Sequence, residues 1–543
     1  MTRLAALTLF TTAVALAADP PAAQVDKLFA RFDRRDSPGC ALAVMRAGEI
    51  VYKRGYGMAN LDHDAPITPS TVFHVASVSK QFTAAAVALL AQEGKLSLDD
   101  EVRQHIPELP DFGPRIAIRH LVHHTSGLRD QWGLLELAGW RYSLDLITDE
   151  DVLEMMSRQK DLNFPPGDRQ SYSNSGYTLM GLIVKRVSGQ SLREFTTKRI
   201  FEPLGMKNTH FRDDHAEIVK GQAYGYVPSK ETFRLSVTNF DTVGATSLLT
   251  TVEDLALWDR NFYEPRVGGP KLIEQMHQRG RLANGEQQSY AFGLTHGRHK
   301  GLPVVQHSGG DAGYRAHLMR FPEQRFSVAC LCNAGSANPS RLARDVADLY
   351  LEPKDTEPAA APTEPTVAVD AALLASYAGA YWRRDGDQIR KFAFQDGKLR
   401  LLLGGDQRGP LRALAVDRFR AEGPPFDEFR FEAGRLLESL DGGPAKPDVY
   451  ERAAEFSPSD AALREYAGVY HSEEVEMLFR LAVENGKLTL KRLKTRPAIL
   501  EPAVPDVFTG PPGSLRFVRD PRGAITGAVL NSGRMRNFRL QKR

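Results

Sequence analysis

The sequence is poor in cysteine: Cys40, Cys330 and Cys332 are the only three in 543 residues. Three cysteines are too few for a disulfide framework of the kind that holds small secreted domains together. Cys330 and Cys332 stand two apart in the strand-like stretch FSVACLCNA, so their side chains share one face. This pattern favours buried thiols.

An excess of charge of either sign is also missing. The 70 basic residues nearly balance the 67 acidic ones, which leaves a formal charge of +3. A balanced charge without a basic cluster does not favour binding to nucleic acid or to a membrane surface, and we expect no nucleic-acid partner. The function has to be inferred from individual sites.

Long apolar runs are absent after the N-terminus, so we expect no membrane span. Residues 1–17 have the pattern of a secretory signal peptide: the basic start MTR, the apolar run LAALTLFTTAVALA and a small-x-small cleavage site at Ala15-Leu16-Ala17. The alternative is an anchoring helix, for which the run is short. We therefore expect a cleaved signal peptide and an exported protein, either periplasmic or secreted.

The length and a change of composition predict several domains. The stretch 352–369 is rich in Pro, Ala and Glu and is typical of a linker. It separates a first domain, residues 18–351, from the C-terminal part. In the first domain a β-hairpin pattern at 38–61 and strand patterns at 302–334 enclose mainly helical patterns. We predict an α/β domain with one antiparallel sheet and a helical insertion.

The C-terminal part contains an internal repeat with an offset of 89 residues. YAGAY at 377–381 matches YAGVY at 466–470, and QDGKL at 395–399 matches ENGKL at 484–488. The Asp-Gly and Asn-Gly pairs in the second match are typical two-residue hairpin turns. We predict two small antiparallel β-barrels, at 370–455 and 456–543, with a structural or substrate-gating role.

The stretch FHVASVSKQFTAAAVALLAQEG, residues 73–94, places Ser77 three residues before Lys80 at the start of an apolar helix. Residues three apart lie on one helix face, so the hydroxyl meets the amine there. A serine needs a neighbouring proton acceptor to become a nucleophile, and a desolvated lysine can serve. The alternative is a capping serine beside a solvated lysine, but the segment is too apolar for a surface helix.

Two further stretches carry candidate site residues. In PPGDRQSYSNSGYTLMG, residues 165–181, an extended segment would point Tyr172 and Asn174 the same way. Tyrosine can share the proton transfer and asparagine can bind an amide or the lysine, although a simple turn before a helix also fits. In VVQHSGGDAGYRAHLMRF, residues 304–321, an apolar strand ends in the stretch 307–310, His-Ser-Gly-Gly. Its glycines allow a substrate backbone to approach, and its histidine has a tunable charge.

Together the three stretches resemble the superfamily of serine β-lactamases and penicillin-binding proteins. They are most similar to the branch of class C β-lactamases, DD-carboxypeptidases, D-aminopeptidases and family VIII esterases. The stretches LVHHTSGL at 121–128 and LLTTVEDLALW at 248–258 match as well, and the resemblance covers residues 24–350. If the first and last strands of the domain pair, as the family fold implies, Cys40 approaches Cys330 or Cys332.

The resemblance implies a role for each of the four candidate residues in the first two stretches. Ser77 is the nucleophile that becomes acylated, and Lys80 is its proton acceptor or relay. Tyr172 is the general base that later protonates the leaving group. Asn174 contacts the lysine and the substrate. Ser77, Lys80 and Tyr172, together with His307 of the third stretch, are our candidates for the catalytic residues, and Asn174 is a candidate for binding the substrate.

The third stretch takes the place of the family's Lys-Thr-Gly strand. His307, Ser308 and Gly309 fill the three positions, and the N–H groups of Ser77 and Gly310 are the expected oxyanion hole. Relatives that hydrolyse lactams often carry lysine where this chain has His307. The departure disfavours an efficient β-lactamase and favours a D-amino-acid peptidase or an esterase.

The C-terminal barrels resemble those of D-aminopeptidases of this family, in which a barrel loop reaches toward the active site. Barrels of this kind also mediate oligomer contacts, so a homo-oligomer is one expectation. The predicted signal peptide departs from those cytoplasmic relatives.

Our prediction is an exported serine hydrolase that forms an acyl-enzyme on Ser77. The favoured substrates are small peptides with amide bonds next to D-amino acids, cleaved as by a D-aminopeptidase or a DD-carboxypeptidase. The alternatives are a carboxylesterase for short acyl esters, a weak β-lactamase and a non-catalytic module that binds peptide or muropeptide. A metal-dependent hydrolase using His120, His123 and His124 is disfavoured, since no carboxylate or fourth ligand is near them in sequence. We expect no metal and no cofactor.

Overall fold

The protein is described by a computed structural model. The structure describes residues 21–353, 366–385, 387–403, 406–421, 427–439, 447–454, 456–511 and 513–543. The predicted signal peptide and residues 354–365 of the predicted linker lie outside the described residues, so both assignments remain predictions.

The N-terminal domain combines helices with a central antiparallel sheet. Its helices are α1 (Ala22–Phe29), α2 (Lys80–Gln92), α3 (Val102–His105), α4 (Ile118–Val122), α5 (Gln131–Leu137), α6 (Asp149–Ser157), α7 (Asn174–Ser188), α8 (Leu192–Thr196), α9 (Glu202–Leu204), α10 (Val252–Asn261), α11 (Gly269–Met276) and α12 (Pro339–Tyr350). A 3₁₀ turn, Ala76–Ser79, precedes α2, and a π-helical turn, Thr197–Phe201, follows α8.

Thirteen strands belong to the described part of this domain. They are β1 (Cys40–Arg46), β2 (Glu49–Tyr56), β3 (Met58–Asn60), β4 (Ala65–Pro66), β5 (Phe73–His74), β6 (His210–Phe211), β7 (Tyr226–Ser229), β8 (Thr232–Leu235), β9 (Leu248–Thr250), β10 (Thr295–His299), β11 (Leu302–Asp311), β12 (Tyr314–Phe321) and β13 (Phe326–Cys332). Six of them form the central sheet in the order β10-β11-β12-β13-β1-β2. The predicted sheet assembled from distant segments is confirmed.

Both faces of the central sheet are covered, which explains why its middle strands are apolar throughout. Along β1, Ala41 and Ala43 face the main core with α2, whereas Leu42 and Val44 face a second cluster with α1 and α12. This alternation is the period of two that a strand imposes. Helix α2 is buried from Lys80 through Leu90, as expected for a helix that is apolar on all sides.

Strands β1 and β13 pair in register, so that Cys40 stands opposite Cys332. The two form a disulfide bond that links residues 292 positions apart, and Cys330 remains a free, buried thiol. Our expectation of buried thiols is therefore right for Cys330 and wrong for Cys332. The family fold had left both cysteines open as partners, and the strand register decides between them.

The C-terminal part forms two closed antiparallel barrels of eight strands each, so the predicted fold class is confirmed. The first barrel has α13 (Ala371–Tyr377), β14 (Gly379–Arg383), β15 (Gln388–Gln395), β16 (Lys398–Leu403), β17 (Asp406–Ala413), β18 (Arg418–Ala421), β19 (Glu428–Glu432), β20 (Arg435–Ser439) and β21 (Asp448–Arg452). The second has α14 (Asp460–Tyr466), β22 (Gly468–Ser472), β23 (Met477–Glu484), β24 (Lys487–Lys491), β25 (Ala498–Val504), β26 (Val507–Gly510), β27 (Gly513–Arg519), β28 (Ile525–Ser532) and β29 (Met535–Lys542).

The repeated hairpin turns lie where the sequence predicts them. Asp396 and Gly397 join β15 to β16 with φ values of 51° and 71°, and Asn485 and Gly486 join β23 to β24 with φ values of 50° and 71°. Positive φ at both central positions is what a type I′ turn requires. The second barrel shares one apolar core with the N-terminal domain, whereas the first barrel has a core of its own. The second barrel is therefore docked on the N-terminal domain. No helix among the residues that the structure describes is long and apolar enough to cross a membrane.

Candidate active site

Ser77 lies in the 3₁₀ turn at the N-terminus of α2 and lines a cavity of about 360 Å³. The preceding residue, Ala76, has φ of 48°, a left-handed conformation that costs free energy for any residue except glycine. The first N–H groups of a helix have no partner within the helix. The turn thus presents the Ser77 hydroxyl and its backbone N–H at the cavity.

Lys80 is fully buried behind Ser77. Its Nζ lies 3.1 Å from Ser77 Oγ, 2.9 Å from Asn174 Oδ1 and 2.6 Å from the carbonyl oxygen of Ala245. Burial lowers the pKa of Lys80 to about 7, while the Asp130 carboxylate opposes this shift. An appreciable fraction of the lysine is therefore neutral near pH 7 and has a lone pair for the serine proton.

Tyr172 lies beside the same amine, with its ring centroid 4.9 Å from Lys80 Nζ. Burial raises the pKa of Tyr172 well above its usual value of 10, although its hydrogen bond with Ser77 acts in the opposite direction. The phenol therefore stays protonated at neutral pH and is a donor. Of the two groups beside Ser77, Lys80 is the one with a pKa suited to accept its proton.

Asn174 reaches the lysine from a helix and not from the extended segment that we predicted. Ser173 is extended and occupies the N-cap position, and Asn174 is the first residue of α7. The backbone N–H and the side-chain Nδ2 of Asn174 both donate to Asp130 Oδ2, each at 2.8 Å. This pair of bonds turns Asn174 Oδ1 toward Lys80. The correction has a local reason, since Asn-Ser-Gly begins a helix here and ends the alternation of a strand.

The end of β11 forms the opposite wall of the cavity. Ser308 and Gly310 line the cavity, and Gly309 packs against the turn that carries Ser77. A Cβ atom at Gly309 would lie 2.2 Å from the carbonyl oxygen of Val75 and 3.1 Å from the backbone N of Ser77. Only glycine allows this approach, which places the strand directly beside the serine.

His307 lines the same cavity but has no free ring nitrogen. Its Nδ1 donates to the carbonyl oxygen of Ser308 at 2.7 Å, and its Nε2 accepts from the Tyr290 hydroxyl at 2.9 Å. Burial lowers its pKa to about 4. We predicted a group of tunable charge here, but near pH 7 the ring is neutral and both nitrogens are engaged.

The N-terminal domain, residues 25–352, matches the family described as Beta-lactamase, and this match spans more than half of the chain. The chain belongs to the Beta-lactamase family. The candidate residues of the three predicted stretches lie together around one cavity. The order of these stretches along the chain is the one that the family resemblance implies.

Curated relatives and a solved structure agree with this membership. The chain is similar to the D-aminopeptidase of Gluconobacter oxydans (strain 621H), with 29% identity over 457 residues, 84% of this chain and 82% of the relative. It is 32% identical to Penicillin-binding protein 4* of Bacillus subtilis (strain 168) over 407 residues, 70% of this chain and 89% of the relative. The octameric penicillin-binding protein homologue from Pyrococcus abyssi has a TM-score of 0.57 at 26% identity and covers 79% of this chain and 100% of its own. This member of the Beta-lactamase family is a serine hydrolase related to penicillin-binding proteins.

His120 lies in α4 of this Beta-lactamase family member, and His123 and His124 follow that helix. Each of the three contacts different residues. His120 Nδ1 accepts from the Ala117 N–H at 3.1 Å, and the His123 ring packs edge-on against Phe292. The centroid of the His124 ring lies 4.2 Å from the centroid of the Tyr172 ring, so the two rings pack against each other. His124 stands in the stretch 121–128 that resembles the family, but the sequence did not indicate that it packs against Tyr172.

Two charged residues at the site were also missed. Asp130, the N-cap of α5, orients Asn174, and nothing in the sequence distinguishes it from other acidic residues. Arg534 lies in the turn between β28 and β29, and its guanidinium lies 4.7 Å from the centroid of the Tyr172 ring. The family resemblance had pointed to a barrel loop near the site but to no residue in it.

Proposed function

We propose that the protein is an exported peptidase that hydrolyses amide bonds next to D-amino acids through an acyl-enzyme on Ser77. The observation that carries the mechanism is the buried amine of Lys80, with a pKa of about 7, at 3.1 Å from Ser77 Oγ. The preference for D-amino acids is supported by the D-aminopeptidase and the Penicillin-binding protein 4* among the relatives.

In the proposed reaction, neutral Lys80 accepts the Ser77 proton while Oγ attacks the substrate carbonyl carbon. The N–H groups of Ser77 and Gly310 stabilise the oxyanion that forms. Tyr172 then donates its proton to the leaving amine and regains one from Lys80, and the C–N bond breaks. In the second half a water molecule, deprotonated by the same pair, hydrolyses the ester and frees Ser77.

Peptidase activity is favoured over lactam hydrolysis by the family resemblance, because this chain has the neutral His307 where relatives that hydrolyse lactams often carry lysine. A lysine at this position would attract a substrate carboxylate permanently, whereas His307 is neutral near pH 7. This feature does not separate a peptidase from an esterase, and the substrate comparison below does so.

Export is part of the proposal. Disulfide bonds persist in oxidising compartments, and the bond between Cys40 and Cys332 is consistent with one. Deletion of residues 2–17 should retain the protein in the cytoplasm, and cell fractionation with an activity assay would show this. Unchanged export of the shortened chain would contradict the predicted signal.

The test of the proposed function compares the mature protein with Ser77→Ala on a D-alanine nitroanilide, an acylated D-Ala-D-Ala peptide and a short nitrophenyl ester. Ser188→Ala, which removes a hydroxyl at the end of α7, is the matched control. We expect cleavage of a D-amino-acid substrate well above the ester, lost in Ser77→Ala and kept in the control. Ester cleavage alone would make the protein an esterase, and absence of both turnover and fluorophosphonate labelling would make it a binding module.

A further inference from the structure

The turn that carries Arg534 is held in place by the N-terminal domain. The backbone carbonyl oxygen of Arg534 accepts hydrogen bonds from Asn163 Nδ2 at 2.8 Å and from the Asp130 N–H at 3.4 Å. The N–H of Arg536 donates to Asn163 Oδ1 at 2.6 Å. These bonds position the backbone from Arg534 to Arg536.

A buried ion pair fixes the second barrel next to the same turn. Arg129 pairs with Glu474 and donates to the carbonyl oxygens of Arg536 and Asn537 at 2.9 and 3.0 Å. Breaking a buried pair of this kind is strongly destabilising, so the docked position of the barrel is well determined. The backbone of Arg534 is thus held at the wall of the cavity that its side chain lines.

The guanidinium of Arg534 has N–H groups that are available to bind a ligand. Its side chain is 50% exposed, and its Nη1 lies 3.6 Å from Asp130 Oδ2, which is longer than a hydrogen bond. That carboxylate oxygen already accepts two hydrogen bonds from Asn174. Within the described residues, the guanidinium donates no hydrogen bond to another side chain or carbonyl group.

The other charged groups that line or adjoin the cavity are engaged. Lys80 donates to three oxygens. Asp311 accepts from Thr246 Oγ1 at 2.8 Å and from the Tyr142 hydroxyl. Among the described residues that line the cavity, Arg534 is therefore the charged group that remains available to a substrate.

We propose that Arg534 binds the α-carboxylate of the C-terminal residue of the substrate, which makes the enzyme a carboxypeptidase. This inference rests on the proposed function, because it assumes that an amine leaves beside Tyr172. In a C-terminal residue the leaving nitrogen and the α-carboxylate are attached to the same carbon. Arg534 lies over the ring of Tyr172, so it is next to the place where that carboxylate must lie. A guanidinium matches a carboxylate with two parallel hydrogen bonds.

The test measures kcat/KM for two versions of one substrate, one with a free carboxylate and one with a neutral amide in its place. The ratio of the first value to the second is the preference for the carboxylate. One pair is acyl-D-Ala-D-Ala and its C-terminal amide. The other pair is 3-acetoxybenzoate and 3-acetoxybenzamide, esters that differ only in the charge of the leaving group. The proteins are the wild type, Arg534→Met, Arg534→Glu and the matched control Arg539→Met, an exposed arginine on β29.

We expect the wild type to prefer the carboxylate by about tenfold or more. Arg534→Met should bring the ratio to about one, Arg534→Glu should invert it, and Arg539→Met should preserve it. Both members of a pair use the same Lys80, so an altered lysine pKa cancels in the ratio.

The two pairs distinguish failure of the inference from failure of the proposed function. If only the esters are cleaved, the D-peptidase function is wrong, and the ester ratio still decides the role of Arg534. A ratio that is the same in the wild type and Arg534→Met would overturn the inference and reduce Arg534 to a contact of the barrel with Asp130.

Discussion

The titration of Lys80 offers the sharpest test of the mechanism. If neutral Lys80 accepts the Ser77 proton, the rate of acylation follows the fraction of neutral amine. With a pKa of about 7, that fraction is about a tenth at pH 6 and about nine tenths at pH 8. Acylation should rise about tenfold from pH 6 to pH 8 and change little above pH 8.

An unperturbed lysine would behave differently. With the usual pKa of 10.5, the neutral fraction would grow about tenfold with each pH unit across the whole neutral range. The assay is the rate at which a fluorophosphonate labels Ser77, from about pH 5 to about pH 10. A fluorophosphonate does not need a proton for its leaving group, so Tyr172 affects this rate less than it affects peptide cleavage.

Two variants should move the profile in opposite directions. The Asp130 carboxylate raises the pKa of Lys80, so Asp130→Asn should lower it and shift the plateau to lower pH. The Arg534 guanidinium lowers the pKa of Lys80, so Arg534→Met should shift the plateau to higher pH. A labelling rate that rises without a plateau up to pH 9, or shifts of the same sign in both variants, would refute the role of Lys80.

Three further predictions follow from the geometry. Gly309→Ala would place a methyl group 2.2 Å from the Val75 carbonyl oxygen, so we expect kcat/KM to fall about a hundredfold at an unchanged circular dichroism spectrum; near-normal activity would contradict this. Tyr172→Phe should slow peptide cleavage by about 10²-fold or more and ester cleavage less, since nitrophenolate leaves unprotonated; equal losses would argue against Tyr172 as the proton donor. Thiol titration of the denatured wild type should find one thiol per chain before reduction and three after it, whereas three thiols before reduction would disprove the bond between Cys40 and Cys332.

The second barrel gives this hydrolase part of its active-site wall, the side chain of Arg534. Sequence repetition indicated two similar modules, but they have different positions in the molecule, because the second barrel shares its core with the N-terminal domain and the first does not. The two copies therefore need not serve one purpose, and the docked copy is the one that brings a charged side chain to the cavity.

The sequence by itself determined the features that a few neighbouring residues encode. The Asp-Gly and Asn-Gly turns, the hairpin at the start of the domain and the spacing of Ser77 and Lys80 depend on local conformation and periodicity. The tertiary structure decided whatever depends on segments distant in the chain. It selected Cys332 as the partner of Cys40, placed Asp130 against Asn174 and brought Arg534 from the second barrel to Tyr172. The pKa of Lys80 belongs to the second group, because burial by the whole fold, and no neighbour in sequence, removes the water that would keep the amine charged.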